Sequence, residues 1–114
     1  MPQTHVLTLD LKDDAHLIAQ YEAFHAPGAV WPEIEASIRA AGVLSTRIFR
    51  DGTRLAMVME VDDAFSFARK AELDTANPKV QAWERLMEQF QAVAPGQEDG
   101  KWRPMRQIFA LSEA

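Results

Sequence analysis

Cysteine is absent from this chain of 114 residues. Disulfides, thiolate metal sites and cysteine nucleophiles are therefore excluded, and a reducing compartment fits that lack. The five glycines never gather into a Gly-rich loop, which leaves no phosphate cradle. No apolar run approaches the ~18 residues of a membrane-spanning helix. The opening stretch MPQTHVLTLDLKDD has neither the basic start nor the apolar centre of a signal peptide. Positive charge is scarce: 12 Lys and Arg stand against 17 Asp and Glu, a net charge of −5. The basic residues are scattered rather than gathered on a face, which speaks against a nucleic-acid partner. The expectation is a soluble, cytoplasmic protein that engages neither membrane nor nucleic acid.

What the chain does have is an ordinary globular balance, 47% hydrophobic and 25% charged, which suits one domain over residues 1–114. Residues 5–11 (HVLTLDL) alternate with Leu7, Leu9 and Leu11 on one side, the pattern of a half-covered strand. Asp13 or Asp14 is placed to cap a helix carrying Leu17, Ile18, Tyr21, Phe24 and His25 on one stripe. Pro27-Gly28 stops it. Trp31-Pro32 opens the next helix, with Ile34, Ile38 and Ala41 buried and Gly42 as the stop. Residues 43–50 and 54–61 flank Asp51-Gly52-Thr53, a strong hairpin signal. Asp62 or Asp63 is the expected cap of a helix through Phe65, Phe67, Ala68 and Ala71. Asn77-Pro78 opens another, with Val80, Trp83, Leu86, Met87 and Phe90 on its apolar side. Residues 94–101 read as a loop, and residues 105–111 alternate again as a final strand. The order β, broken α, β, β, α in two pieces, β predicts an α+β, ferredoxin-like split βαβ fold with a four-stranded antiparallel sheet. One bare sheet face invites a second copy, so the expected assembly is a homodimer forming a dimeric α/β barrel.

Chemistry-bearing residues are few. The three histidines, His5, His16 and His25, lack the spacing of a zinc site, so no metal is expected. There is no G-x-S-x-G elbow and no triad. Tyr21 and His25, four apart on a helix, can face one cavity. A histidine can take and give a proton near neutrality, and a phenol can donate to an oxygen that gains charge. The alternative is a pair in the core stripe with both polar tips satisfied by backbone. Trp83 is equally two-sided, either core or a platform for the C–H face of a sugar. Trp31 is either a staple at the helix entry or a pocket wall, and Trp102 anchors the approach to the last strand.

Tyr21-x-x-x-His25, then Trp31-Pro32-Glu33-Ile34, then Ala41-Gly42 before a strand, resembles the L-rhamnose mutarotase family, which includes L-fucose mutarotases. The resemblance continues through Gln81-Ala82-Trp83-Glu84-Arg85-Leu86-Met87 and Gln107-Ile108-Phe109-Ala110-Leu111. It implies a dimeric ferredoxin-like isomerase that interconverts the α and β anomers of a 6-deoxy-L-hexose without cofactor or metal. Tyr21 and His25 match the family's active-site tyrosine and histidine, and Trp83 matches a substrate-facing tryptophan. Thr46 and Glu84 stand where rhamnose members carry further aromatic contacts, so L-fucose joins L-rhamnose as a candidate. Three other readings stand beside it. One is a cofactor-free or haem-handling monooxygenase, although the single asparagine, Asn77, is better explained as a helix cap; the second is a non-catalytic metabolite-binding module; the third is a purely structural dimer domain.

Overall fold

The computed structural model describes residues 2–92 and 102–112. Four strands, β1 (Gln3–Asp10), β2 (Val43–Asp51), β3 (Arg54–Val61) and β4 (Arg103–Pro104), lie in the order β2-β3-β1-β4. All neighbouring strands are antiparallel. Between β1 and β2 come α1 (Ala15–Phe24) and α2 (Pro32–Ala40); after β3 come α3 (Phe67–Thr75) and α4 (Pro78–Glu88). This is the ferredoxin-like α+β order expected from the sequence.

The helix starts follow from capping chemistry. Asp14 accepts from the backbone N–H groups of His16 and Leu17 at 2.9 and 3.1 Å. Asn77 does the same for Lys79 and Val80 at 3.0 and 3.3 Å. Each bond satisfies a first-turn donor that the helix itself leaves orphaned. Pro32 and Pro78 sit at first helical positions, where a missing N–H costs nothing. The start of α3 differs from expectation. Its cap is Ser66, whose hydroxyl accepts from Arg69 N at 3.1 Å. Asp62 instead turns the chain one step earlier by accepting from Ala64 N. Phe65 and Phe67, both expected within the helix, instead straddle the cap and pack around His5.

The hairpin register pairs Arg50 with Leu55, Ile48 with Met57 and Thr46 with Met59. Side chains alternate across a sheet, so Thr46, Ile48 and Arg50 share the face that carries Leu55, Met59 and Val61. Leu7 and Leu9 of β1 join that face through their pairing with Met57 and Leu55. The helices pack there, and Tyr21, Ile34, Val80, Trp83, Met87 and Phe90 complete the core with these leucines. The opposite face presents Val6, Ala56 and Val58 half-buried and Phe49 exposed.

The final strand lies before the alternating residues 105–111, none of which is in a strand. Only Arg103 and Pro104 pair with β1, followed by one bond from Met105 N to Val6 O at 2.7 Å. Beyond it Ile108 and Phe109 are 89% and 74% exposed, so neither alternating set has a buried side. Alternation fits a chain to a strand but does not supply the strand it must pair with. The predicted loop over residues 94–101 lies outside the described residues.

Candidate active site

Tyr21 is reached from the fold in one step. It stands on the inward stripe of α1 and is 4% exposed. His25, one turn later, is the residue at which α1 ends, and its backbone N–H bonds the carbonyls of Glu22 and Ala23. The spacing of four stacks the two rings, with centroids 4.3 Å apart and planes at 29°. The imidazole Nδ1 lies 2.8 Å from the Tyr21 carbonyl oxygen, one of the carbonyls that a helix C-terminus leaves without a partner. A carbonyl can only accept, so Nδ1 holds the hydrogen. The lone pair of neutral His25 is therefore on Nε2, the nitrogen directed away from the helix end.

Burial pushes the Tyr21 phenol up to about 12 from its ordinary 10.0. The charged phenolate would lose its hydration inside the core, so the neutral form is favoured. Tyr21 is thus a proton donor, not a base, across the neutral range.

Both residues line a cavity of about 360 Å³, within the usual range for small-molecule clefts. Glu22 lines it from the helix side, Ile48, Phe49 and Arg50 from β2, and Leu55 from β3. Arg50 reaches across to the Glu22 carboxylate through Nε and donates from Nη1 to Gly52 O at 2.8 Å. The cavity therefore has a phenol and an imidazole at one side, an aliphatic wall of Ile48 and Leu55, and an ion pair tying helix to strand.

The other candidate site residues fall elsewhere. Trp83 is core: 9% exposed, it packs edge-on against Phe24, His25 and Trp31 at 6.3, 5.7 and 5.1 Å. It backs the His25 ring and is not among the residues lining the cavity. Trp31 precedes α2 and rests on Trp83, the part of a staple rather than a pocket wall. Thr46 is on the cavity-facing side of β2 but farther along the strand than Ile48, outside the lining. Glu84 is half-buried on α4, also outside it. Asn77 is occupied as a cap, which removes the polar residue an oxygenase reading required. Among the described residues no group of three His, Cys, Asp or Glu could hold a metal ion. No helix among them is long and apolar enough to cross a membrane.

Glu22, Ile48, Arg50 and Leu55 were not singled out from sequence. Part of the signal was available: the Asp-Gly turn fixes the hairpin register and so sets Arg50 opposite Leu55 on the inward face. The approach of β2 to α1, however, joins residues 28 apart, which no local pattern reveals.

A ferredoxin-like α+β domain with a phenol and an imidazole lining one small, partly apolar cavity belongs to the class of small-molecule-handling domains. A family model described as L-rhamnose mutarotase matches residues 4–111. An L-fucose mutarotase of Xanthomonas campestris pv. campestris is 53% identical over 107 residues, covering 93% of this chain and 86% of that protein. The chain belongs to the L-rhamnose mutarotase family and is a sugar mutarotase, an isomerase. Among solved structures, the crystal structure of an L-rhamnose mutarotase from Formosa agariphila superposes with a TM-score of 0.71 at 19% identity, over 96% of this chain and 99% of that one. A dimeric ferredoxin-like protein from an uncultured marine organism matches with a TM-score of 0.52 at 16% identity, over 96% and 91%. At those identities the two structures speak to the fold.

Proposed function

We propose that this mutarotase acts on a 6-deoxy-L-hexose, with L-fucose the preferred substrate, and that Tyr21 and His25 carry the proton transfers. The observation that carries the reading is the stacked pair itself: a phenol held neutral and an imidazole whose Nδ1 meets the Tyr21 carbonyl, both lining one cavity. Nε2 of His25 takes the proton of the anomeric hydroxyl as the O1 lone pair forms the C1=O1 bond. The C1–O5 bond breaks, and O5 takes a proton from the Tyr21 hydroxyl. Rotation about C1–C2 turns the other face of the aldehyde toward O5. Reclosure returns each proton to its origin, so the enzyme ends as it began. No electron is gained or lost overall. Acid–base assistance of this type typically contributes about 10²–10⁴-fold.

The choice of sugar rests on weaker but concordant grounds. Ile48 and Leu55 form a wall suited to the C6 methyl group of a deoxy sugar. The 53% identical relative is an L-fucose mutarotase. Thr46 and Glu84 replace the aromatic contacts expected of rhamnose members. The cavity-facing side of the sheet is covered by helices; the opposite face, with Phe49 exposed, suits a second copy of the chain in a homodimer. A cytoplasmic setting, where free monosaccharides are processed, accords with this role.

Saturation-transfer NMR between the anomeric protons of L-fucose, L-rhamnose, D-galactose and D-glucose tests the proposal. Exchange should be fastest for L-fucose. Exchange no faster than in buffer for every sugar would remove the reading.

A further inference from the structure

Glu22 and Arg50 line the same cavity as Tyr21 and His25, and the proton-transfer chemistry uses neither of them. They form an ion pair whose side chains are 39% (Arg50) and 54% (Glu22) exposed. A pair so open to water contributes little to folding, so holding α1 to β2 is a poor account of its position. The Arg50 guanidinium is also fixed from behind, because Nη1 donates to Gly52 O in the hairpin turn. Its bonds to Glu22 and Gly52 use Nε and Nη1, leaving Nη2 as the group for a ligand. A fixed donor beside a carboxylate acceptor matches two neighbouring hydroxyls, each of which both donates and accepts. Because the guanidinium charge is balanced by Glu22, the pair suits a neutral sugar rather than a sugar acid or phosphate.

The chemistry of the ring says which hydroxyls these are. Tyr21 and His25 work on O5 and O1, which flank the C1–O5 bond. In a six-membered pyranose the bond opposite C1–O5 is C3–C4. We infer that the Glu22–Arg50 pair, on the same cavity as the proton-transferring rings, recognises the 3- and 4-hydroxyls of the sugar, the ring positions farthest from the reacting C1–O5 bond, and so sets its specificity. L-Fucose and L-rhamnose differ in configuration at C2 and C4, so a group that reads the 4-hydroxyl separates them. This inference rests on the mutarotase reading of the site.

The test is anomer-exchange kinetics on wild type, Arg50→Met and Glu22→Gln, with L-fucose, L-rhamnose and 4-deoxy-L-fucose as probes. Circular dichroism melts establish that both variants fold, as an exposed pair predicts. For L-fucose, Arg50→Met should raise KM about tenfold or more while kcat falls by less than about threefold, the mark of lost binding away from the reacting atoms. The kcat/KM preference for L-fucose over L-rhamnose should narrow, and 4-deoxy-L-fucose, which keeps only the 3-hydroxyl contact, should show a clearly smaller rise in KM than L-fucose does. Glu22→Gln should raise the L-fucose KM in the same direction. If wild type is active and Arg50→Met leaves the L-fucose KM unmoved, or raises KM equally for the 4-deoxy sugar, this inference falls and the mutarotase reading stands. A wild type without anomer exchange on any sugar overturns both.

Discussion

Replacing Tyr21 by phenylalanine removes one oxygen from a side chain that is otherwise core, packed edge-on against Phe90 and stacked on His25. The ring contacts survive and the proton donor does not. Tyr21→Phe should therefore lose about 10²–10⁴-fold of the anomer-exchange rate while its urea midpoint stays close to wild type. His25→Ala should lose a comparable factor by the same NMR assay; a variant that keeps wild-type acceleration would take His25 out of the mechanism. The phenol also predicts an alkaline weakness. Its folded value of about 12 lies above the ordinary 10.0 of an unfolded tyrosine. Below pH 10 both states hold the proton and the stabilisation is complete. Between about pH 10 and 12 the unfolded state releases its proton first, so stability falls by up to about 3 kcal/mol. Urea melts across that range should show the loss in wild type and a flatter course in Tyr21→Phe. Tyr21 is the single tyrosine, so its ionisation can be followed directly by ultraviolet difference absorbance.

Elements deliver these residues to the cavity, and their ends are where the sequence is least replaceable. Gly42, between α2 and β2, has φ +98°, a left-handed conformation that other L-residues rarely adopt. A Cβ there would also meet Asp62 Oδ1 at 2.7 Å. Gly42→Ala should cost more than about 1 kcal/mol in equilibrium unfolding. Asn77→Ala removes the cap of α4 and should cost about 1 kcal/mol. Because α4 carries Trp83, which backs His25, this variant also reports on how far the imidazole depends on its support: a KM left unchanged with a reduced kcat would locate the effect at the rings. The element ends were largely legible in the sequence, since Asp14, Pro32, Gly52, Asn77 and Pro78 each act through local geometry. The cap of α3 was not, because Asp62, Asp63 and Ser66 are all competent caps and only the packing of Phe65 and Phe67 around His5 selects among them.

At the scale of the molecule, one sheet face is covered by helices and the other is not. Val6 and Val58 are paired across β1 and β3 on the open face, and Phe49 beside them is 54% exposed. The proposed homodimer would cover this surface, with the exposed Ile108 and Phe109 adding to the apolar area available. Light scattering should give twice the chain mass for wild type. Val58→Lys, which places a charge at the middle of the open face without entering the core, should shift the mass toward that of one chain. A wild type that runs as a single chain at micromolar concentration would end the dimer proposal.

The sequence by itself determined the order of elements, the inward faces of β1 and β3 and the coupling of Tyr21 to His25, because periods of two and of about 3.6 residues and local caps act over a few positions. Tertiary structure alone decided which residues meet across the cavity. Arg50 and Glu22 come together only when the hairpin folds against α1, and Trp83 proves to be a support for His25 because Phe24 and Trp31 close around it. It also decided that the last strand stops at Pro104, since pairing needs a partner at the right edge. Periodicity describes what a segment can bury; what it is buried against is a property of the whole fold.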